Sequence, residues 1–241
     1  RPMWDWISFM QSTRRFLRSL VAGPLLVPRL VQLVIGLIAY GAGIGLMVRA
    51  AVGVAPWDVL AQGISRVSNL DFGLVTNLVG LAVIALWIPL RQKPGLGTLL
   101  NVLLVGTSAQ AVLWALPVID DLLVQIALFI GGLCLVALAT GAYIGAAFGP
   151  GPRDGLMTGL HTRFGIPIWI ARTGVELTVL GIGWLLGGNV GLGTLAFALL
   201  IGPMAHVTMP WFDLRPRIHK AQQRRDAALS APTTGTIAVT S

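Results

Sequence analysis

Two stretches of one design constrain this chain more than anything else in it. Gly53-Val-Ala-Pro-Trp-Asp-Val-Leu-Ala-Gln-Gly63 returns as Gly149-Pro-Gly-Pro-Arg-Asp-Gly-Leu-Met-Thr-Gly159, with Gly, Pro, Asp, Leu and Gly at the same five places. Each lies between apolar runs and is too short to cross a hydrocarbon core, which takes ~20 helical residues. A slide of 96 positions lays Gly53–Val112 on Gly149–Thr208. Roughly 18 of about 60 positions then match, against about five expected by chance. Gly95-Leu-Gly-Thr-Leu99 repeats as Gly191-Leu-Gly-Thr-Leu195, Gly106 falls on Gly202 and Ala109 on Ala205. Each copy reads as a span, a half-helix and two further spans. Three crossings is an odd number, so the two copies must face opposite ways in the membrane, as in many transporters. Opposed repeats also build channels and inert scaffolds.

The rest of the chain fits a bilayer. Of 241 residues, 55% are hydrophobic and 11% charged, where a soluble domain carries about 25% charged. Spans are expected at about 30–48, 73–90, 96–116, 122–147, 167–187 and 193–211, with half-helices at 56–68 and 152–164. Pro56 and Pro152 suit a first helical turn, where a missing N–H leaves nothing unpaired. The expected fold is therefore all-α: a polytopic membrane bundle of six transmembrane helices plus two re-entrant half-helices. Repeat one would cover 30–116 and repeat two 122–212. Residues 1–29 read as an interfacial N-terminal segment, either a surface-lying helix or a positive flank that orients the first span. Residues 213–241 read as a basic tail, disordered from about Ala227.

Charge orders the ends. The net charge of +8 lies mostly in the termini and one short loop, which favours an anionic leaflet over nucleic acid as a partner. With the N-terminus inside, Arg91 and Lys93 fall inside and Asp120 and Asp121 outside. The tail from Arg215 to Arg225 then lies inside as well. If the half-helices crossed fully, Arg91 and Lys93 would move outside. No cleavable signal peptide is expected. Cys134 is the single cysteine and sits in an apolar run, so it reads as a small buried hydrophobe. His161, His206 and His219 lack metal-ligand spacing. No metal, cofactor or catalytic constellation is expected, and no enzymatic activity.

The candidate site begins at the half-helix starts. Asp58 and Asp154 take the third helical position if Pro56 and Pro152 take the first. There a carboxylate either caps its own helix end or borders a substrate or ion site. Gly53 and Gly149 complete the motif. Arg153 stands where the other copy has Trp57, so any site is asymmetric. In the fifth span, Arg172 and Glu176 share a face at i,i+4 spacing, ~7–8 Å and ~13 Å from Pro167. Each charge costs about 2.5–3.5 kcal/mol at mid-depth, so the pair should face the bundle interior, as an internal salt bridge or as a lining of the path. His206, its repeat counterpart Gln110, and Asn77 beside Thr76 are further candidates for lining an inner and an outer vestibule, while His206 taken alone reads as a hydrogen-bonded packing histidine rather than a proton relay.

With Gly-Leu-Met-Val-Arg-Ala-Ala-Val-Gly-Val-Ala-Pro-Trp-Asp-Val-Leu (45–60) and Gly-Pro-Gly-Pro-Arg-Asp-Gly-Leu-Met (149–157) in view, the chain resembles the YczE-like branch of the YitT/YczE bacterial membrane proteins over about residues 30–212. That resemblance implies an integral protein of the bacterial inner membrane, commonly labelled a candidate transporter, and carries no substrate or site residue with it. The function expected is movement of a small solute by alternating access, with protonation of Glu176 as a route to coupling. The alternative is a non-transporting membrane subunit or scaffold that holds or regulates a partner protein. The partners expected are the lipid bilayer, a small solute, and a second copy or another membrane protein.

Overall fold

The computed structural model describes residues 25–230. The expectations for the N-terminal interfacial segment up to residue 24 and for the end of the tail lie outside them. Nine helices follow in order among the described residues. They are α1 (Leu26–Ala50), α2 (Pro56–Ser68), α3 (Phe72–Leu90), α4 (Leu96–Ala115) and α5 (Leu122–Gly145), then α6 (Pro152–Phe164), α7 (Ile168–Leu185), α8 (Leu192–Phe212) and α9 (Arg215–Ser230). Six of them are long and apolar enough to cross a membrane. The fold is an all-α polytopic membrane bundle.

The helix starts and stops follow from local chemistry. Pro56 and Pro152 open α2 and α6 at the first position, and at 13 residues each these helices reach only ~20 Å. Gly95 and Gly191 open α4 and α8, where the Oγ1 of Thr98 and of Thr194 accepts from the glycine N–H. Asp121 caps α5, its Oδ1 accepting from Leu123 and Val124. Two boundaries differ from the sequence expectation. α1 begins four residues early and takes Pro28 into its first turn, where proline fits without loss. The basic tail forms α9 rather than loosening at Ala227, because Arg, Gln, Lys and Ala are good helix formers.

The backbone repeats at the same interval as the sequence. Nine described residues have positive φ. Leaving aside Leu25, they form four pairs 96 apart: Ala51 and Ala147 (57° and 58°), Gly53 and Gly149 (114° and 109°), Asn69 and Gly165 (57° and 69°), Arg91 and Gly187 (54° and 91°). At Gly53 and Gly149 the angle is one that L side chains rarely adopt, which explains why both copies keep glycine there. The loops before α2 and α6 cross over in matched fashion. The Val52 carbonyl accepts from Gly193 N–H at 2.9 Å, and the Phe148 carbonyl from Gly97 N–H at 3.0 Å. Each copy's loop thus holds the start of the other copy's last long helix.

α1 and α5 run antiparallel through the centre. Buried Arg29 in the first turn of α1 donates to the carbonyls of Ala146 and Ala147 just past α5, at 3.0 and 2.9 Å. Its guanidinium lies 4.3 Å from the centroid of the Phe148 ring. α4 packs on α1 and α8 on α5, while α2, α3, α6 and α7 pack among themselves. Small residues allow the close approaches. Gly36 lies on Ala142 and Tyr143, and Gly43 on Gly132 and Val136, the pattern that lets apolar helices gain dispersion contacts where lipid offers no hydrophobic drive.

The joints between these two groups are unequal. α3 and α4 pack tightly: a Cβ on Gly73 would strike the Gly106 carbonyl, and one on Gly106 would strike Asn77. Asn77 Oδ1 accepts from Gly106 N–H at 3.0 Å and Gln110 Oε1 from Gly73 N–H at 2.9 Å. Among the described residues the equivalent helices α7 and α8 make no comparable contact. The positions matching Gly73, Asn77, Gly106 and Gln110 are Trp169, Thr173, Gly202 and His206. Trp169 and His206 are exposed, and a Cβ on Gly202 would meet nothing.

Candidate functional site

α2 and α6 point their first turns at each other across the centre. Asp58, at the third position of α2, is 1% exposed. Its Oδ1 lies 3.3 Å from Nη2 of Arg153, the second residue of α6. The same guanidinium sits 5.2 Å from the centroid of Trp57, its own repeat counterpart. The asymmetry at this position is therefore what pairs the two half-helix starts. A second Arg at 57 would set two cations together, and a second Trp at 153 would leave Asp58 buried without a partner, a costly arrangement in a low dielectric. Asp58 Oδ2 and Trp57 Nε1 are buried without a hydrogen-bond partner.

Beside this junction lies a partly open cavity of about 130 Å³. Its lining repeats. Eight pairs 96 apart contribute, among them Pro56 and Pro152, Trp57 and Arg153, Thr76 and Arg172, Gly80 and Glu176, Asn101 and Phe197, Val105 and Ile201. The cavity therefore straddles the relation between the two copies. Arg172 Nε and Glu176 Oε1 are 3.1 Å apart, their side chains 55% and 32% exposed at the rim. Asp154 is exposed into the space, and Tyr143 donates its hydroxyl to Asp154 Oδ2 at 3.2 Å. Tyr40 packs edge-on to Tyr143, centroids 5.8 Å apart and planes at 86°.

Asp58, Arg153, Asp154, Arg172, Glu176 and Asn77 thus gather at one place, with Asp58 just behind the wall and the other five lining it. The motif residues Gly53 and Gly149 turn the chain into it. Gln110 and His206 lie elsewhere. Gln110 is buried in the α3–α4 joint. His206 borders a separate groove with Met209, Pro210 and Asp213 at the end of α8. Sequence reasoning missed Tyr40, Tyr143 and Asn101. A signal for the first two was present: the chain has two tyrosines, one in the first span of each copy.

The comparisons agree with this architecture. A family model described as a family of unknown function (DUF6198) matches residues 27–210. The chain belongs to that family. It is 30% identical over 198 residues to the uncharacterized membrane protein YczE of Bacillus subtilis, covering 81% of this chain and 91% of YczE. An uncharacterized protein of Haemophilus influenzae is 40% identical over 162 residues, covering 67% of this chain and 74% of its own. A further Bacillus subtilis protein, YyaS, is 30% identical over 182 residues, covering 73% and 90%. No solved structure matches. The chain is thus a YczE-like multi-pass membrane protein, and the matched span holds the described cavity residues.

Proposed function

We propose that this DUF6198 protein moves a small solute across the bacterial inner membrane by alternating access, acting as a transporter and not as an enzyme. Its two copies form an inverted repeat, 30–116 and 122–212, in which α2 and α6 are re-entrant. The observation that carries the reading is the inequality of two equivalent joints around one cavity: α3–α4 is sealed and α7–α8 is parted. The sealed contacts lie toward the end bearing Asp71 and Asp121. The parted positions lie toward the end where Arg29, Arg91, Lys93, Arg163 and Arg215 collect, as the hydrogen bond from Gln92 to Thr162 and that from Gln32 to the Phe212 carbonyl require. Basic residues mark the cytoplasmic side, so both termini are cytoplasmic and the cavity faces inward. The opposite state exchanges the two joints. Glu176 is the coupling carboxylate, because protonating it would release Arg172 at the cavity rim.

Proteoliposomes carrying the purified chain, screened with solute libraries under an imposed proton gradient, test this reading. Uptake above empty vesicles that falls at least tenfold in Glu176→Gln is expected. A complete solute screen without uptake, with cysteines at Thr173 and Asn77 equally reactive from one side, sinks it. A second reading rests on α9, a basic helix whose side chains are largely exposed over residues 215–224. In that reading the chain is a membrane subunit holding a partner protein. It predicts co-purification lost on deleting 215–241, with Glu176→Gln silent.

A further inference from the structure

The cavity's charges fall into two committed pairs and a remainder. Arg153 is spent on Asp58, and Arg172 on Glu176. Asp154 lines the cavity, and no basic side chain lies within 4.0 Å of it among the described residues; its partner is the Tyr143 hydroxyl. Two arginines and three carboxylates sum formally to −1. The first turns of α2 and α6 bring roughly +0.5 each, so the whole site is close to neutral. A free anion or a free cation gains little from that sum. A molecule bearing both signs gains at each end.

The hydrogen-bonding groups point the same way. A guanidinium has five N–H donors, and Arg153 gives one to the protein. Trp57 lines the cavity 5% exposed with Arg153 standing over its ring, and four of the guanidinium N–H donors remain. These donors suit a carboxylate. Asp154, the next residue in the same first turn, has acceptor capacity left, and the Tyr40 and Tyr143 rings beside it favour a cation. Val83 and Ile201 leave an apolar side for a small aliphatic group.

Resting on the transport reading above, we propose that the cavity takes a small zwitterion of the amino-acid type, its carboxylate on Arg153 and its ammonium on Asp154. The test is thermal unfolding of the full chain in detergent with three matched probe sets: neutral L-amino acids, their N-acetyl derivatives and their methyl esters. The amino acids should raise the midpoint by about 2–4 °C near saturation, the one-charge probes should not, and Asp154→Asn should abolish the rise. An equal rise with N-acetyl or ester probes overturns the proposal, as does the absence of any rise with the whole amino-acid set at millimolar concentration. Because wild type is probed first, a poorly folded Asp154→Asn does not rescue it. The two readings fail separately. Stabilisation without uptake removes transport and keeps the ligand class, whereas uptake of a singly charged solute removes the ligand class and keeps transport.

Discussion

The α3–α4 and α7–α8 pairs are the same element twice, with opposite outcomes. Both begin after a short helix of 13 residues, and both second members start with Gly-x-Gly-Thr-Leu, x being Leu in each. Yet glycine meets glycine in one pair, while in the other the matching Trp169 is exposed and Gly202 has open space beside it. Duplication therefore fixes where helices run, and a handful of side chains at matched positions decides whether they close. A joint that is sealed in one copy and parted in the other is what a two-state gate requires, because each copy supplies the template for the other's alternative.

The largest test of that asymmetry is at Trp57 and Arg153. Arg153→Met leaves the Asp58 carboxyl 1% exposed and without its partner, and should cost about 3–5 kcal/mol of unfolding free energy whether the group stays charged or takes up a proton. Asp58→Asn keeps an acceptor for a guanidinium that is 28% exposed and should cost less, about 1–3 kcal/mol. Unfolding in mixed micelles by SDS titration measures both. Equal losses would mean that the pair does not hold the copies together in the asymmetric way described.

A second matched pair is a swap of size. Trp87 is 1% exposed, donates its Nε1–H to the Pro152 carbonyl at 3.1 Å and fills the space over Gly155. In the other copy the bulk moves: Gly183 replaces Trp87 and Val59 replaces Gly155, with Gly183 against the backbone of Val59 and Leu60. Trp87→Ala should cost about 3 kcal/mol or more, since the α6 backbone cannot collapse onto the void. The same SDS titration would show a loss under 1 kcal/mol if α6 is held chiefly by its junction with α2.

Much of this was legible in the chain. The limits of α2 and α6 agree with the sequence expectation, because proline at a first turn and glycine in a left-handed turn are demands of the backbone, which sequence reports directly. Asp58 and Arg153 are expected from the sequence to border one site, but their pairing with each other is not: each Asp reads as a cap or a site border. What failed was rotation about a helix axis, which also left Cys134, expected to be buried, exposed on α5. Depth placed Gln110 and His206 beside a path, but depth does not say which face a residue takes. Gln110 went to the orphan N–H of Gly73 in the first turn of α3, a need common to helix starts, and no such need called on His206. The parted joint was illegible for a related reason. The exchange of Gly73 for Trp169 was in plain sight, but identity between copies names equivalent positions and not their contacts.

A milder contrast lies in the glycines. Gly106→Ala puts a methyl group against the Gly73 carbonyl and Asn77 and should destabilise by about 1–3 kcal/mol. Gly202→Ala meets open space and should be neutral or stabilise by up to about 1 kcal/mol through helix propensity. If the joints alternate, Gly106→Ala does more than weaken the fold. It raises the population in which α3 and α4 part, so a cysteine at Asn77 should label faster from outside. A stability loss without that change in labelling would make the α3–α4 joint plain packing.

The smallest effect separates the two readings of the polar groups at these joints. Gln110→Leu keeps volume but strands the Gly73 N–H, which is buried in the first turn of α3; a stranded buried donor costs about 1–3 kcal/mol. Its counterpart His206 is exposed and lies off the main cavity, so His206→Leu should fall within about 0.5 kcal/mol of wild type. Had both residues lined one solute path, as their matched depth suggested, both substitutions would spare stability and impair uptake. Paired SDS titration and uptake assays read the difference. Gln110→Leu should lower stability and leave the outer joint loose, and His206→Leu should change neither. Loss of uptake in His206→Leu at unchanged stability would return that histidine to the path and require the parted joint to carry solute along α8.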